Sequence, residues 1–378
     1  MDAGDLIYSG KLVRAVSCQD VDIVCLGFKG PPTPESDAVD DKGVKWRAVN
    51  GTPASRTRAM LSALPLECAR FATREYRELF KTLVQNEHWD LIAIDYYGVG
   101  WALDELNKLP KRPNAKVIYV SHNFETDLSK QIAREYQGNM VAKAALAINA
   151  FKTSWLEKRL TRECDLVSAI TKADGEAYLA LGARRNPLVL RPGYEGYRTP
   201  NRTISADTPR KVVVLGSYRW IAKQMNLEAF LETADPVFAE AGVSVDVIGD
   251  IPGDFVERWR NKLQATQLRG FVDDLQAELT AYRMGLVIEA VGGGFKLKIL
   301  DYAFNRLPIV AILAGVAGAE DLHDHFELAS DFAELAEKVI ATIDDFNRLN
   351  AMHSGAFDVA EGAFDWDKNA RTILDNIK

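Results

Sequence analysis

Between two apolar runs, the stretch Val291–Val310 (VGGGFKLKILDYAFNRLPIV) sets three glycines, two lysines and an aspartate. The apolar run GLVIEAV over 285–291 predicts a strand, so Gly292, Gly293 and Gly294 follow at its carboxyl end. Glycines there let a backbone approach a ligand closely. The spacing then predicts a helix with Lys296 and Lys298 in its first turns, where the helix dipole disfavours cations unless an anion lies beside them. A diphosphate would be such an anion, and Asp301, one turn later, is placed to accept hydrogen bonds from a diol. The plainer alternative is a flexible turn with two solvated lysines, and spacing alone leaves it open. Two other phosphate motifs fail: a dinucleotide fingerprint needs glycine at 297, which is leucine, and a P-loop needs Ser or Thr after its lysine.

A second set of polar residues stands at strand ends in the first half of the chain. His122 closes the run AKVIYVSHN (115–123), and Asp95 and Tyr96 close DLIAIDYYG (90–98). A lone histidine in such a place is often structural, and aromatic residues there often pack.

These residues need a scaffold, and the chain supplies an alternation. Short apolar runs at 21–28, 90–98, 115–123, 164–171 and 187–193 alternate with helical patterns, among them 66–85 and 143–162. After a polar, turn-rich segment at 198–209, the pattern restarts with KVVVLGS (211–217), a helix led by Asn226, and runs at 243–250, 269–272, 285–291 and 308–312. Strands that are apolar throughout, separated by helices, imply parallel sheets covered on both faces. The expectation is an α/β protein of two Rossmann-like, doubly wound domains: 1–197, a linker at 198–209, 210–345, and C-terminal helices over 346–378 that return to the first domain. Because the opening DAGDLIYSGKLVRAV reads as a loop and its helix, the first strand is expected to be missing.

At 378 residues the chain is longer than one core usually grows. Its net charge of −7 argues against a broad nucleic-acid surface. Cys18, Cys25, Cys68 and Cys164 are scattered, with no metal-binding spacing, and read as small buried residues of a reducing, cytoplasmic compartment. No metal or cofactor is expected. No apolar run reaches the length of a membrane-spanning helix, and 56–85 is the one weak candidate for an interfacial helix.

From Lys211 onward, the order VVVLGSYRWIAKQMNLEAFLE, VIGDIP, LRGFVDDLQAEL and GLVIEAVGGGFKLKILDYAFNRLPIVA resembles the donor-binding domain of glycosyltransferase family 4, whose fold is GT-B. In the first half, SHNFETDL (121–128) resembles the His-Asn-x-Glu signature of one branch. The resemblance covers most of the chain and is weakest over 29–90. It implies a sugar transferase that uses a nucleotide-sugar donor, a UDP- or GDP-sugar, and a saccharide or lipid-linked acceptor in polysaccharide or glycoconjugate synthesis. Retention and metal independence are implied by the resemblance only.

By the same resemblance, Lys298 would bind the donor diphosphate, with Lys296 and the three glycines beside it, and Asp301 would hold the ribose where the family usually has glutamate. Gly216, Ser217 and Arg219 would adjoin the donor, and Gly4 and Asp5 would belong to an N-terminal loop facing it. His122 would stand near the reacting centre, with Asp95 and Tyr96 on the acceptor side. The departures are that Gly293 replaces the first of two family glutamates, and that SYRWIAKQMN has an aromatic and Asn226, leaving the part of Arg219 and Lys223 open. A GT-B sugar-nucleotide epimerase and an inactive nucleotide-sugar-binding protein remain alternatives, as does peripheral attachment to the inner face of the plasma membrane.

Overall fold

A computed structural model describes residues 4–28, 43–49, 51–110, 113–291 and 294–377. The chain divides into two compact units, one of residues 5–191 with 366–378 and the other of 192–365.

In the first unit, β1 (Val24–Phe28) and β2 (Lys45–Val49) form a separate parallel pair. The strands β3 (Leu91–Asp95), β4 (Lys116–Val120), β5 (Leu166–Ala169) and β6 (Leu188–Val189) form a parallel sheet in that order. Its core gathers Ile94, Trp101, Val117, Tyr119, Leu156 and Val167. The described chain opens on the helix Gly4–Ser17, with Tyr8, Leu12 and Ala15 buried at helical spacing. Gly4 and Asp5 thus stand in a helix rather than in the expected loop. The single helix expected over 66–85 is two, Leu66–Phe71 and Arg74–Asn86, because the Thr73 hydroxyl accepts from Tyr76 N and starts a new helix. Of the four cysteines, Cys68 and Cys164 are buried, Cys25 is half-buried and Cys18 is exposed; none is in a disulfide.

The second unit holds β7 (Lys211–Ser217), β8 (Ser244–Asp250), β9 (Thr266–Gly270), β10 (Met284–Val287), β11 (Ile309–Ile312) and β12 (Phe326–Ala329). They form one parallel sheet in the order β9-β8-β7-β10-β11-β12, so chain direction reverses its course across the sheet between β7 and β10. Ligands of such sheets bind beyond the carboxyl ends of the strands at this switch point. Val212 and Val214 face one core and Val213 and Leu215 the other, which is why the run 212–215 is apolar at every position.

The segment 198–209 is no free linker. Thr199 N donates to Phe304 O at 2.8 Å, Ile204 is buried with its N donating to Asn350 Oδ1, and the Arg283 guanidinium donates to Thr208 O. The segment is strapped onto the second unit because its backbone groups find partners there. The C-terminal helices separate: Phe346–Ala363 lies within the second unit, and Trp366–Ile377 is grouped with the first, where Asn369 donates to Arg191 O.

Tyr302 sits under the switch point. The ladder between β7 and β10 pairs Met284 with Val212 through Leu286 with Val214. Beyond it, Leu215 N donates to the Tyr302 hydroxyl at 2.9 Å, and the carbonyls of Val213 and Leu286 each lie 3.3 Å from that oxygen. The ring needs Gly285, where a Cβ would come within 2.7 Å of it. Tyr302→Phe leaves a buried amide unsatisfied and is expected to lower stability by about 1–3 kcal/mol, read from the urea midpoint.

Candidate active site

In the second unit, the residues singled out by sequence gather around one that was not. Glu289 follows β10 with its carboxylate buried, and the Lys298 ammonium donates to its Oε1 at 2.6 Å. The two side chains keep only 5% and 9% of their surface. Burial pushes the Glu289 carboxyl up, but the charges of Lys298, Lys296 and Lys223, with the Lys298 hydrogen bond, outweigh it and hold it below the usual carboxylate range. The charges of three lysines therefore act on this carboxylate, and that of Lys298 does so in direct hydrogen-bond contact. The anion beside the helix-opening lysine is the Glu289 carboxylate.

The helix itself starts later than expected. It spans Lys298–Phe304, so Lys298 is its first residue and Lys296 lies before it, with Nζ donating to Gly294 O at 2.8 Å. Gly294 has φ +70°, a backbone region that favours glycine. Gly292 and Gly293 lie outside the described residues.

Asp301 is only half-buried as a residue, yet burial dominates its carboxyl and pushes it up from 3.8 to about 6, against the Tyr194 hydrogen bond and the Lys298 charge. Because the folded value is the higher one, ionising this group costs folding stability. The cost is absent below 3.8, grows from there to about 6, and is complete above. Tyr194 is fixed by stacking on Phe304, centroids 4.5 Å apart.

Gly216 and Ser217 end β7 opposite Gly249 and Asp250 of β8. The exposed Arg219 is held by the Asp250 carboxylate, so its charge is already met. Gly249, at φ +136°, touches Gly216: a Cβ there would lie 1.7 Å from Gly216 O. The helix after β7 begins at Ile221, not at Asn226. Asn226 is instead buried in its second turn, where Oδ1 accepts from Ala290 N and Val291 N and Nδ2 donates to Val291 O at 2.7 Å. It clamps the loop that follows Glu289. Glu289 Oε2 and the Tyr218 hydroxyl are both buried and without a hydrogen-bond partner.

In the first unit, Asp95, Tyr96 and His122 meet at the carboxyl ends of β3 and β4. His122 Nε2 is 2.8 Å from Asp95 Oδ1 and 3.4 Å from Ser9 Oγ, while the buried Nδ1 has no partner. The Tyr8 and Tyr96 rings lie 5.2 and 5.5 Å from the imidazole. Tyr96 has φ +75°, a strained conformation for a non-glycine residue, secured by Tyr96 N donating to Val120 O at 2.9 Å. An imidazole oriented by a carboxylate in this way can accept or hold a proton.

A second buried carboxylate, Glu157, anchors the segment after His122. It accepts from Glu125 N, Thr126 N and the Tyr178 hydroxyl at 2.9, 2.6 and 2.7 Å, capping the helix Glu125–Glu135, and burial pushes its pKa up despite those bonds. Sequence reasoning missed Glu289, the one acid in an apolar strand run, and Glu157, an acid among buried positions of its helix. A lone acid in an apolar pattern was the available signal in both.

Two models of known families match the chain. Residues 8–193 match the model of a glycosyl transferase 4-like domain, and residues 209–345 match that of glycosyl transferases group 1. The chain is a GT-B glycosyltransferase. Among solved structures, it resembles sucrose-phosphate synthase from Thermosynechococcus elongatus at 15% identity and a TM-score of 0.73, over 99% of this chain and 92% of that one. It also resembles Anabaena HepE in complex with UDP-glucose, at 15% identity and 0.66 over 100% and 96%. The third, the trehalose-6-phosphate synthase OtsA, shows 14% identity and 0.63 over 100% and 95%. No curated protein is matched by the sequence. At such identities the structural likeness speaks for the fold.

Lys298→Ala would strand a buried carboxylate, so it is expected to cost about 3–5 kcal/mol of stability. Adding Glu289→Gln should return most of that, and chemical denaturation of the two variants measures it.

Proposed function

We propose that this glycosyltransferase binds a UDP- or GDP-sugar in its second unit and passes the sugar, with retention and without a metal, to a saccharide or lipid-linked acceptor in polysaccharide or glycoconjugate synthesis. The observation that carries the donor reading is the buried Lys298–Glu289 ion pair beyond β10, with the charges of Lys296 and Lys223 acting on the same carboxylate. A departing nucleoside diphosphate concentrates negative charge, and fixed cations in a water-poor site stabilise it as it develops. Lys298 spends one N–H on Glu289 and has two more to offer. Asp301, one turn on, accepts from the ribose hydroxyls. That Anabaena HepE has been crystallised with UDP-glucose supports a nucleotide-sugar donor.

On the acceptor side, the Asp95-oriented His122 positions the attacking hydroxyl or the sugar. In the retaining reading, a phosphate oxygen of the leaving group takes the hydroxyl proton, so no protein nucleophile is called for. The SHNFETDL stretch supports membership of the His-Asn-x-Glu branch. We place the reaction in the cytoplasm, where nucleotide sugars are made.

Two outcomes are expected. Incubation with radiolabelled UDP-, GDP- and TDP-sugars and a saccharide or lipid-linked acceptor should give transfer from one donor; interconversion of the donor without an acceptor would instead favour an epimerase. Binding of the productive nucleotide sugar should weaken roughly tenfold between pH 7 and pH 5, because a ribose diol favours the ionised Asp301, which titrates near 6. Isothermal calorimetry of Asp301→Asn should show a flat profile over the same range.

A further inference from the structure

The longest helix of the first unit, Met140–Glu163, turns part of its apolar surface outward. Its exposed positions 141, 144, 148, 151 and 155 recur at spacings of three and four and are Val141, Ala144, Ile148, Phe151 and Trp155. Val141 is 82% and Phe151 75% exposed, more than a core-packing role would leave them. The same face continues into exposed Lys158 and Arg162.

Beside it lies the segment 55–62. Lys152 Nζ donates to Ser62 O at 2.6 Å and to Met60 O at 3.3 Å, and Asn149 Oδ1 accepts from Leu66 N at 2.7 Å. That segment exposes Arg56, Arg58, Met60 and Leu61, the last at 91%. Neither 52–66 nor 136–156 contains an aspartate or glutamate, although the whole chain carries a net charge of −7. A shallow groove between Lys130 and Phe151 runs along the helix.

We propose that this face docks on an anionic lipid surface. An apolar stripe with a tryptophan, rimmed by arginine and lysine, is what an interfacial helix presents to a bilayer, the apolar side chains entering the headgroup boundary and the cations meeting anionic lipid. A second copy of the chain fits less well, because pairing the face with itself brings like charges together. The docking reading stands independently of the donor site. No helix among the described residues is long and apolar enough to cross a membrane, so the contact is one of lying on the surface. The face centres on 140–163, with only the start of 56–85 taking part.

The test is co-sedimentation of the full chain with phosphatidylcholine vesicles with and without phosphatidylglycerol. Wild type should sediment with the anionic vesicles and be released by salt, while the triple variant I148S, F151S and W155S should lose at least about tenfold in binding. Arg56→Glu with Arg58→Glu should weaken binding on the anionic vesicles alone. These positions are exposed, and an unchanged thermal midpoint would show that folding is intact. The proposal is overturned if the triple variant sediments like wild type, if neither vesicle retains the protein, or if the face instead supports a dimer in light scattering that the triple variant dissolves.

Discussion

A carboxylate taken out of water must be matched by a cation or by hydrogen-bond donors, and Glu289 organises the second unit on that requirement. Its desolvation is offset only while Lys298 stands against Oε1, so the loop after β10 and the first residue of the helix Lys298–Phe304 are held together. The arrangement places a buried lysine–carboxylate pair at the switch point of the sheet. Asn226 contributes from the other side, saturating the backbone of Ala290 and Val291 and fixing where that loop begins. Tyr302 takes over the hydrogen bond of Leu215 N that the β7/β10 ladder does not make.

The first unit uses a related device. Glu157 is buried without a cation in its hydrogen-bond set and is satisfied by two amides and a tyrosine hydroxyl, so it fixes the start of the helix Glu125–Glu135 just beyond His122. Asp95 then sets the direction of the imidazole. In each unit a buried carboxylate fixes polar groups at the carboxyl ends of strands, Glu157 from 32 residues along the chain and Glu289 from nine residues before Lys298.

That distance explains what the sequence showed and what it hid. The runs of β7, β10 and β11 were legible because both faces of the sheet are covered and their central positions are apolar. The strand Lys45–Val49, with Lys, Trp and Arg among its five residues, carries no such run and was passed over. The break at Ala72–Thr73 was written in a capping threonine, but the amphipathic spacing of 66–85 concealed it. Lys298 and Asp301 could be singled out from local spacing, whereas the carboxylate that meets Lys298 could not, since pairing across nine residues of loop and turn depends on how the backbone folds there. The segment 198–209 read as a linker from its composition, and the partners of Thr199, Arg202 and Ile204 lie between 78 and 146 residues away.

The central claim is that the cation held by Glu289 receives the donor diphosphate. It is tested most directly by comparing UDP with UMP binding in the Lys298→Gln, Glu289→Gln double variant, which removes both charges and leaves no stranded carboxylate. The account predicts that wild type prefers UDP and that the double variant, folded as before, binds the two nucleotides nearly alike. Retention of the full preference for UDP by a folded double variant would contradict it.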